Sequence, residues 1–150
     1  MAADTKMLGL IVNPVAGLGG RVGLKGSDGR HVQRKALALG AVPHAQDRAI
    51  EALERLADLD GLEIATWAGP MGEEAARTAG FSPTVAGAAD SGDTTADDTR
   101  AAAAKMLELG VDLLLFAGGD GTARDICAAV GESLTTLGIP AGVKIHSAVY

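Results

Sequence analysis

Along the chain, short compact apolar runs alternate with longer stretches of helical spacing. Met7 to Val12 is such a run, closed by Asn13-Pro14, and predicts a buried strand. Leu62 to Trp67 and Ser82 to Ala86 are also strand-like. Val111 to Ala117 reads Val-Asp-Leu-Leu-Leu-Phe-Ala, apolar on both faces apart from Asp112, which is the pattern of a central parallel strand. Thr135 to Ile139, ahead of Pro140, supplies the last. Helical segments fall between. His31 to Leu39 is stopped by Gly40, and Glu73 to Ala79 has Gly80 in the stop position. Asp47 is placed to cap a helix in which Ile50, Leu53 and Ala57 share a face and Glu51 stands one turn before Arg55. Thr95-Ala96-Asp97-Asp98 resembles a capping box and opens an Ala-rich helix ended by Gly110; a further helix runs from Thr122 to Val130.

This alternation predicts an α/β domain: a doubly wound, mostly parallel sheet of about five strands with helices on both faces. Ligands are expected beyond the carboxyl ends of the strands. The domain takes residues 1–140. Residues 141–150, Ala-Gly-Val-Lys-Ile-His-Ser-Ala-Val-Tyr, have no helix stop or polar tail and read as the start of something further. Val143, Ile145 and Val149 are then expected to lack the partner that covers them, leaving the tail mobile or paired with another copy.

Composition narrows the function. Of 150 residues, 47% are apolar and 21% charged, an ordinary globular balance, and the shortage of aromatics predicts an aliphatic core. A net charge of −6 excludes non-specific nucleic-acid binding, which needs a basic footprint. Yet Arg21, Lys25, Arg30, Arg34 and Lys35, five of the thirteen basic residues, share one short window, which suits a small phosphorylated ligand. A single cysteine, Cys127, forms no intramolecular disulfide and fits a reducing compartment; its place on a face with Val130 reads as core. With no apolar run of membrane-spanning length and no secretory pattern at the start, the expectation is a cytoplasmic protein without a membrane partner.

The strongest chemical signal is Gly118-Gly119-Asp120-Gly121-Thr122 between a strand and a helix. Glycines let the backbone turn and approach a phosphate, and the helix start presents unpaired N–H groups and a positive dipole end. Asp120 is unfavourable beside phosphate unless it serves as a general base toward a hydroxyl or accepts from a Mg²⁺-bound water. The competing reading is that Asp120 or Thr122 only caps the helix. A second Gly-rich turn, Asn13-Pro14-Val15-Ala16-Gly17-Leu18-Gly19-Gly20-Arg21, follows the first strand, with Lys25 beyond it. By itself it reads as a solvated loop. At the same sheet edge as the first loop, it makes a shared phosphate site. Neither loop is a P-loop or the Rossmann dinucleotide fingerprint.

The Gly-Gly-Asp-Gly-Thr loop after an apolar strand resembles that of the NAD kinase and diacylglycerol kinase superfamily. The strings from Gly9 to Gly29 and from Gly138 to Ser147 are similar to the ATP- or polyphosphate-dependent NAD kinase group, so that the resemblance covers essentially the whole chain. It implies a Rossmann-like N-terminal domain of a kinase and phosphoryl transfer from ATP or polyphosphate, with Mg²⁺, to the 2′-hydroxyl of NAD. Asp120 then activates the acceptor hydroxyl; Gly118, Gly119, Gly121 and Thr122 line the nucleotide; the Asn-Pro turn that contacts ATP in the lipid-kinase relatives maps, less closely, onto Asn13. The resemblance also implies a second, β-rich domain, absent from this chain, to which residues 141–150 begin the crossover. The expected partners are small-molecule nucleotides and further copies of the chain. The alternatives are a kinase of the same superfamily acting on a lipid or another small hydroxyl compound, and a non-catalytic nucleotide-binding module. His31, His44 and His146 have no metal-ligand spacing, and His146 and Ser147 are read as structural or substrate-lining.

Overall fold

The structure is a computed structural model, described over residues 4–16, 44–90, 94–141 and 148–150. The strands are β1 (Lys6–Val12), β2 (Leu62–Thr66), β3 (Thr84–Val85), β4 (Leu113–Gly118) and β5 (Thr136–Pro140). The helices among the described residues are α1 (Ala45–Glu54), α2 (Glu73–Thr78), α3 (Ala96–Leu109) and α4 (Asp120–Val130), with a 3₁₀ turn at Gly69–Met71. The strands form one parallel sheet in the order β3-β2-β1-β4-β5, with Leu10 opposite Thr66 and Val12 opposite Ala117. The expected doubly wound α/β architecture is present.

Strand periodicity splits the core into two layers. Leu8, Leu10 and Val12 point to one face, with Ile64, Leu115 and Ala117, and are covered by Ala45, Ala49 and Leu53 of α1 and by Ala75 and Ala76 of α2. Ile11, Ala65, Leu114 and Phe116 point to the other, against Ala102, Ala103 and Met106 of α3 and Ala123, Ile126 and Val130 of α4. Small Ala positions let the helices lie close to the sheet. Gly9 fits that need, since a Cβ there would come within 3.1 Å of the Leu114 side chain.

The chain runs outward from β1 through β2 to β3, then crosses back to β4 on the other side of β1 and on to β5. The order therefore reverses between β1 and β4, the kind of switch point at which open α/β sheets take ligands.

Several local expectations are corrected. Asp47 does not cap α1: the N-cap is His44, which makes no side-chain cap bond, and Asp47 lies in the first turn. That helix ends at Glu54, so Ala57 is exposed, and Glu51 pairs with Arg48 at 3.5 Å rather than with Arg55. Cys127 is exposed, because α4 buries Thr122, Ala123, Ile126 and Val130, and a residue adjacent to Ile126 is turned about 100° away from it. Val149 is not left uncovered: it packs, partly buried, on the Phe116 layer, and its carbonyl accepts from Gly138 N at 2.8 Å. Val143, Ile145 and the helix expected over His31–Leu39 lie outside the described residues.

Candidate functional site

The site begins where β1 ends. Asn13 N donates to Ala117 O at 2.9 Å, carrying the β1–β4 ladder one step past the strand. Its side chain then uses both ends of the amide. Oδ1 accepts from Val15 N at 3.2 Å, closing an Asx turn, and Nδ2 donates to Thr122 Oγ1 at 2.9 Å. Thr122 is buried, at 3% exposure, and its side chain fills the space that a Cβ on Gly118 would need. Asn13, Gly118 and Thr122 thus tie together the ends of β1 and β4 and the first turn of α4.

Gly119 is different. It is the N-cap of α4, in extended conformation with φ −113° and ψ −164°, which any residue adopts. A Cβ built on it would meet nothing within 4 Å. No packing among the described residues asks for glycine here, and they leave open space beside its Cα. Serine or aspartate would be the ordinary cap at this position, yet α4 has no side-chain cap bond.

The first donor in the α4 ladder is Ala123 N, to Gly119 O at 3.0 Å. The N–H groups of Asp120, Gly121 and Thr122 therefore precede the ladder, as the first N–H groups of any α-helix do. With the helix dipole behind it, such a helix start suits an anion, each charge contact being worth about 0.3–1 kcal/mol. Asp120 stands at the first helical position, partly exposed. The N-cap of α4 is Gly119 rather than Asp120 or Thr122, and Thr122 Oγ1 accepts from Asn13 Nδ2.

Gly118, Gly119, Asp120, Gly121, Thr122 and Asn13 are thus brought to one place. Gly17, Gly19, Gly20, Arg21 and Lys25, together with His146 and Ser147, lie outside the described residues. Sequence reasoning passed over Tyr150, which also reaches this loop. Its hydroxyl is 2.7 Å from Gly119 O and 3.1 Å from Gly118 O. Nothing in its local sequence marks it except that it is the chain's one tyrosine.

Among the described residues no cluster of three His, Cys, Asp or Glu side chains could hold a metal by itself. A lone carboxylate beside a phosphate cradle nonetheless fits Mg²⁺, which takes one or two carboxylates together with substrate phosphates.

The family model for the ATP-NAD kinase N-terminal domain matches residues 8–150. The chain belongs to the ATP-NAD kinase family. A comparison with curated proteins finds no match. Membership supports kinase-type phosphoryl transfer as the chemistry of this ATP-NAD kinase domain. No helix among the described residues is long and apolar enough to cross a membrane.

Proposed function

We propose that this domain transfers the terminal phosphoryl group of ATP, or of polyphosphate, to the 2′-hydroxyl of NAD, giving NADP. The observation that supports this reading most is the glycine N-cap, Gly119, where stability alone asks for a capping side chain, with the carboxylate of Asp120 directly after it at the helix start. The N–H groups of Asp120, Gly121 and Thr122 hold phosphate oxygens, and the space beside Gly119 admits them at backbone distance. Asp120 takes the proton of the acceptor hydroxyl as its oxygen forms the new bond to phosphorus. The bridging P–O bond breaks, and the shortened donor leaves with the electron pair. Mg²⁺ bound with the donor phosphates offsets the charge that gathers on them. We place the remaining wall of the cleft in a second, β-rich domain, as the resemblance to NAD kinases implies.

The test is NADP formation by the complete protein from NAD and Mg²⁺ with ATP or polyphosphate. In Asp120→Asn, nearly isosteric, turnover should fall by about 10²–10⁴-fold, as for loss of a general base, while nucleotide binding persists. Turnover within a few-fold of wild type would remove Asp120 from the chemistry. Phosphorylation of a different hydroxyl compound, with none of NAD, would overturn the substrate assignment and leave the reaction class standing.

A further inference from the structure

Tyr150 is built into the domain at four points. Its ring meets Phe116 edge to face, with centroids 5.6 Å apart and planes at 70°. It occupies the space that a Cβ on Gly138 would need, so Gly138 is a glycine because the ring lies there. The residue before it is held by the Gly138 N to Val149 O bond of 2.8 Å. The hydroxyl ends at Gly119 O and Gly118 O, at 2.7 and 3.1 Å. Both carbonyls already accept one bond each, from Ala123 N and Ala141 N, each at 3.0 Å.

We propose that Tyr150 is a positioning residue for the nucleotide loop: its shared hydroxyl bond fixes the Gly118–Gly119 and Gly119–Asp120 peptide planes and thereby aims their N–H groups into the crevice. The argument is geometric. A trans peptide points its C=O and N–H in opposite directions. The Gly118 carbonyl shares a plane with the Gly119 N–H, and the Gly119 carbonyl shares one with the Asp120 N–H. Holding both carbonyls on the Tyr150 side holds both N–H groups on the opposite side. Two consecutive glycines have many backbone conformations to choose from, so such a constraint has most to restrict here. Burial, and then the nearby charge of Asp120, push the phenol above its ordinary range, so Tyr150 stays a protonated donor through physiological pH.

This inference rests on the nucleotide reading of the loop, and the test separates the two. Tyr150→Phe keeps the ring contacts with Phe116 and Gly138 and deletes only the hydroxyl; Tyr150→Leu removes the ring fit as well. Mg·ATP binding is measured by calorimetry, kcat and KM by NADP formation, and exchange of the Ala123 and Ala141 amides by NMR, all in the complete protein. Tyr150→Phe should melt like wild type, bind Mg·ATP about tenfold more weakly and raise the nucleotide KM more than it lowers kcat. The Ala123 and Ala141 amides, which share the released carbonyls, should exchange faster. Tyr150→Leu should in addition melt earlier. Wild-type Kd, KM and exchange in Tyr150→Phe would overturn the proposal and leave Tyr150 a packing residue. If wild type binds no Mg·ATP but the two amides still exchange faster in Tyr150→Phe, the nucleotide reading fails and the constraint on the loop stands.

Discussion

Gly118 and Gly119 are glycines for different reasons, and the difference can be measured. Gly118 lies against the Thr122 side chain, so a methyl there displaces Thr122 and breaks its bond from Asn13. Gly118→Ala should therefore destabilise the fold by about 1–3 kcal/mol, the usual cost of overpacking, as read by urea denaturation. Gly119 has an extended backbone and open space, and it leaves α4 without a side-chain cap. Gly119→Ser adds a hydroxyl able to accept from the α4 N–H groups, so the protein should be a few tenths of a kcal/mol more stable. The same hydroxyl occupies the anion site, and nucleotide binding should drop by tenfold or more. A Gly119→Ser protein that melts early yet binds normally would show that the space beside Gly119 is not ligand space. Asp120 and the glycines were legible in the sequence because strand-loop-helix chemistry is local. The roles that separate Gly118 from Gly119 were not, since they depend on Thr122 and on which side of the backbone is open.

At the scale of elements, the capping box of α3 is observed as the sequence indicated. Thr95 Oγ1 accepts from Asp98 N at 3.4 Å, and Asp98 Oδ2 accepts from Thr95 N at 2.8 Å. Gly110 ends the helix in the left-handed region at φ 71°. Thr95→Ala should destabilise by about 1 kcal/mol, measured by chemical denaturation. Strand identities were legible too, because a parallel strand buried on both faces leaves an unbroken apolar run, as β4 does. Where sequence reasoning missed, tertiary contacts decided. The start and end of α1 are set by packing on Leu8 and Leu115 rather than by a capping Asp47. The 3₁₀ turn at Gly69–Met71 depends on Glu73, whose carboxylate accepts from Gly69 N at 3.0 Å and pairs with Arg77 at 3.1 Å. These bonds, the backbone one first, lower the Glu73 pKa. A depressed carboxylate contributes stability that is present above its ordinary range near 4.5 and is lost as pH falls through its folded value. Glu73→Gln should flatten the fall in stability on the acid side of that range while leaving its slope near neutrality unchanged.

For the whole molecule, the sheet order brings the candidate site residues to one edge. Every strand points the same way, and the reversal between β1 and β4 puts Asn13 and the Gly118–Thr122 loop on either side of one crevice. The parallel, doubly wound sheet was implied by the alternation of elements, but the joint across it was not: the Asn13–Thr122 bond spans residues far apart in sequence, and no spacing rule reports it. That joint makes binding and folding share contacts. A ligand bound only by the folded crevice stabilises the protein through mass action, by about 2.7 kcal/mol at one hundred times its Kd. For a chain of this length that raises the melting temperature by roughly 5–10 °C. If the anion site is the α4 start, Mg·ATP should raise the melting temperature of wild type and of Asp120→Asn alike, because the N–H groups remain in both. Gly119→Ser should begin at the same temperature or slightly higher and show little or no rise. Asn13→Ala, which releases Thr122 without touching the N–H groups, should begin lower by about 0.5–1.5 kcal/mol of stability and retain a smaller rise. The pattern across the four proteins separates the roles of these residues. An equal rise in Gly119→Ser and wild type would place the bound phosphates elsewhere on the domain.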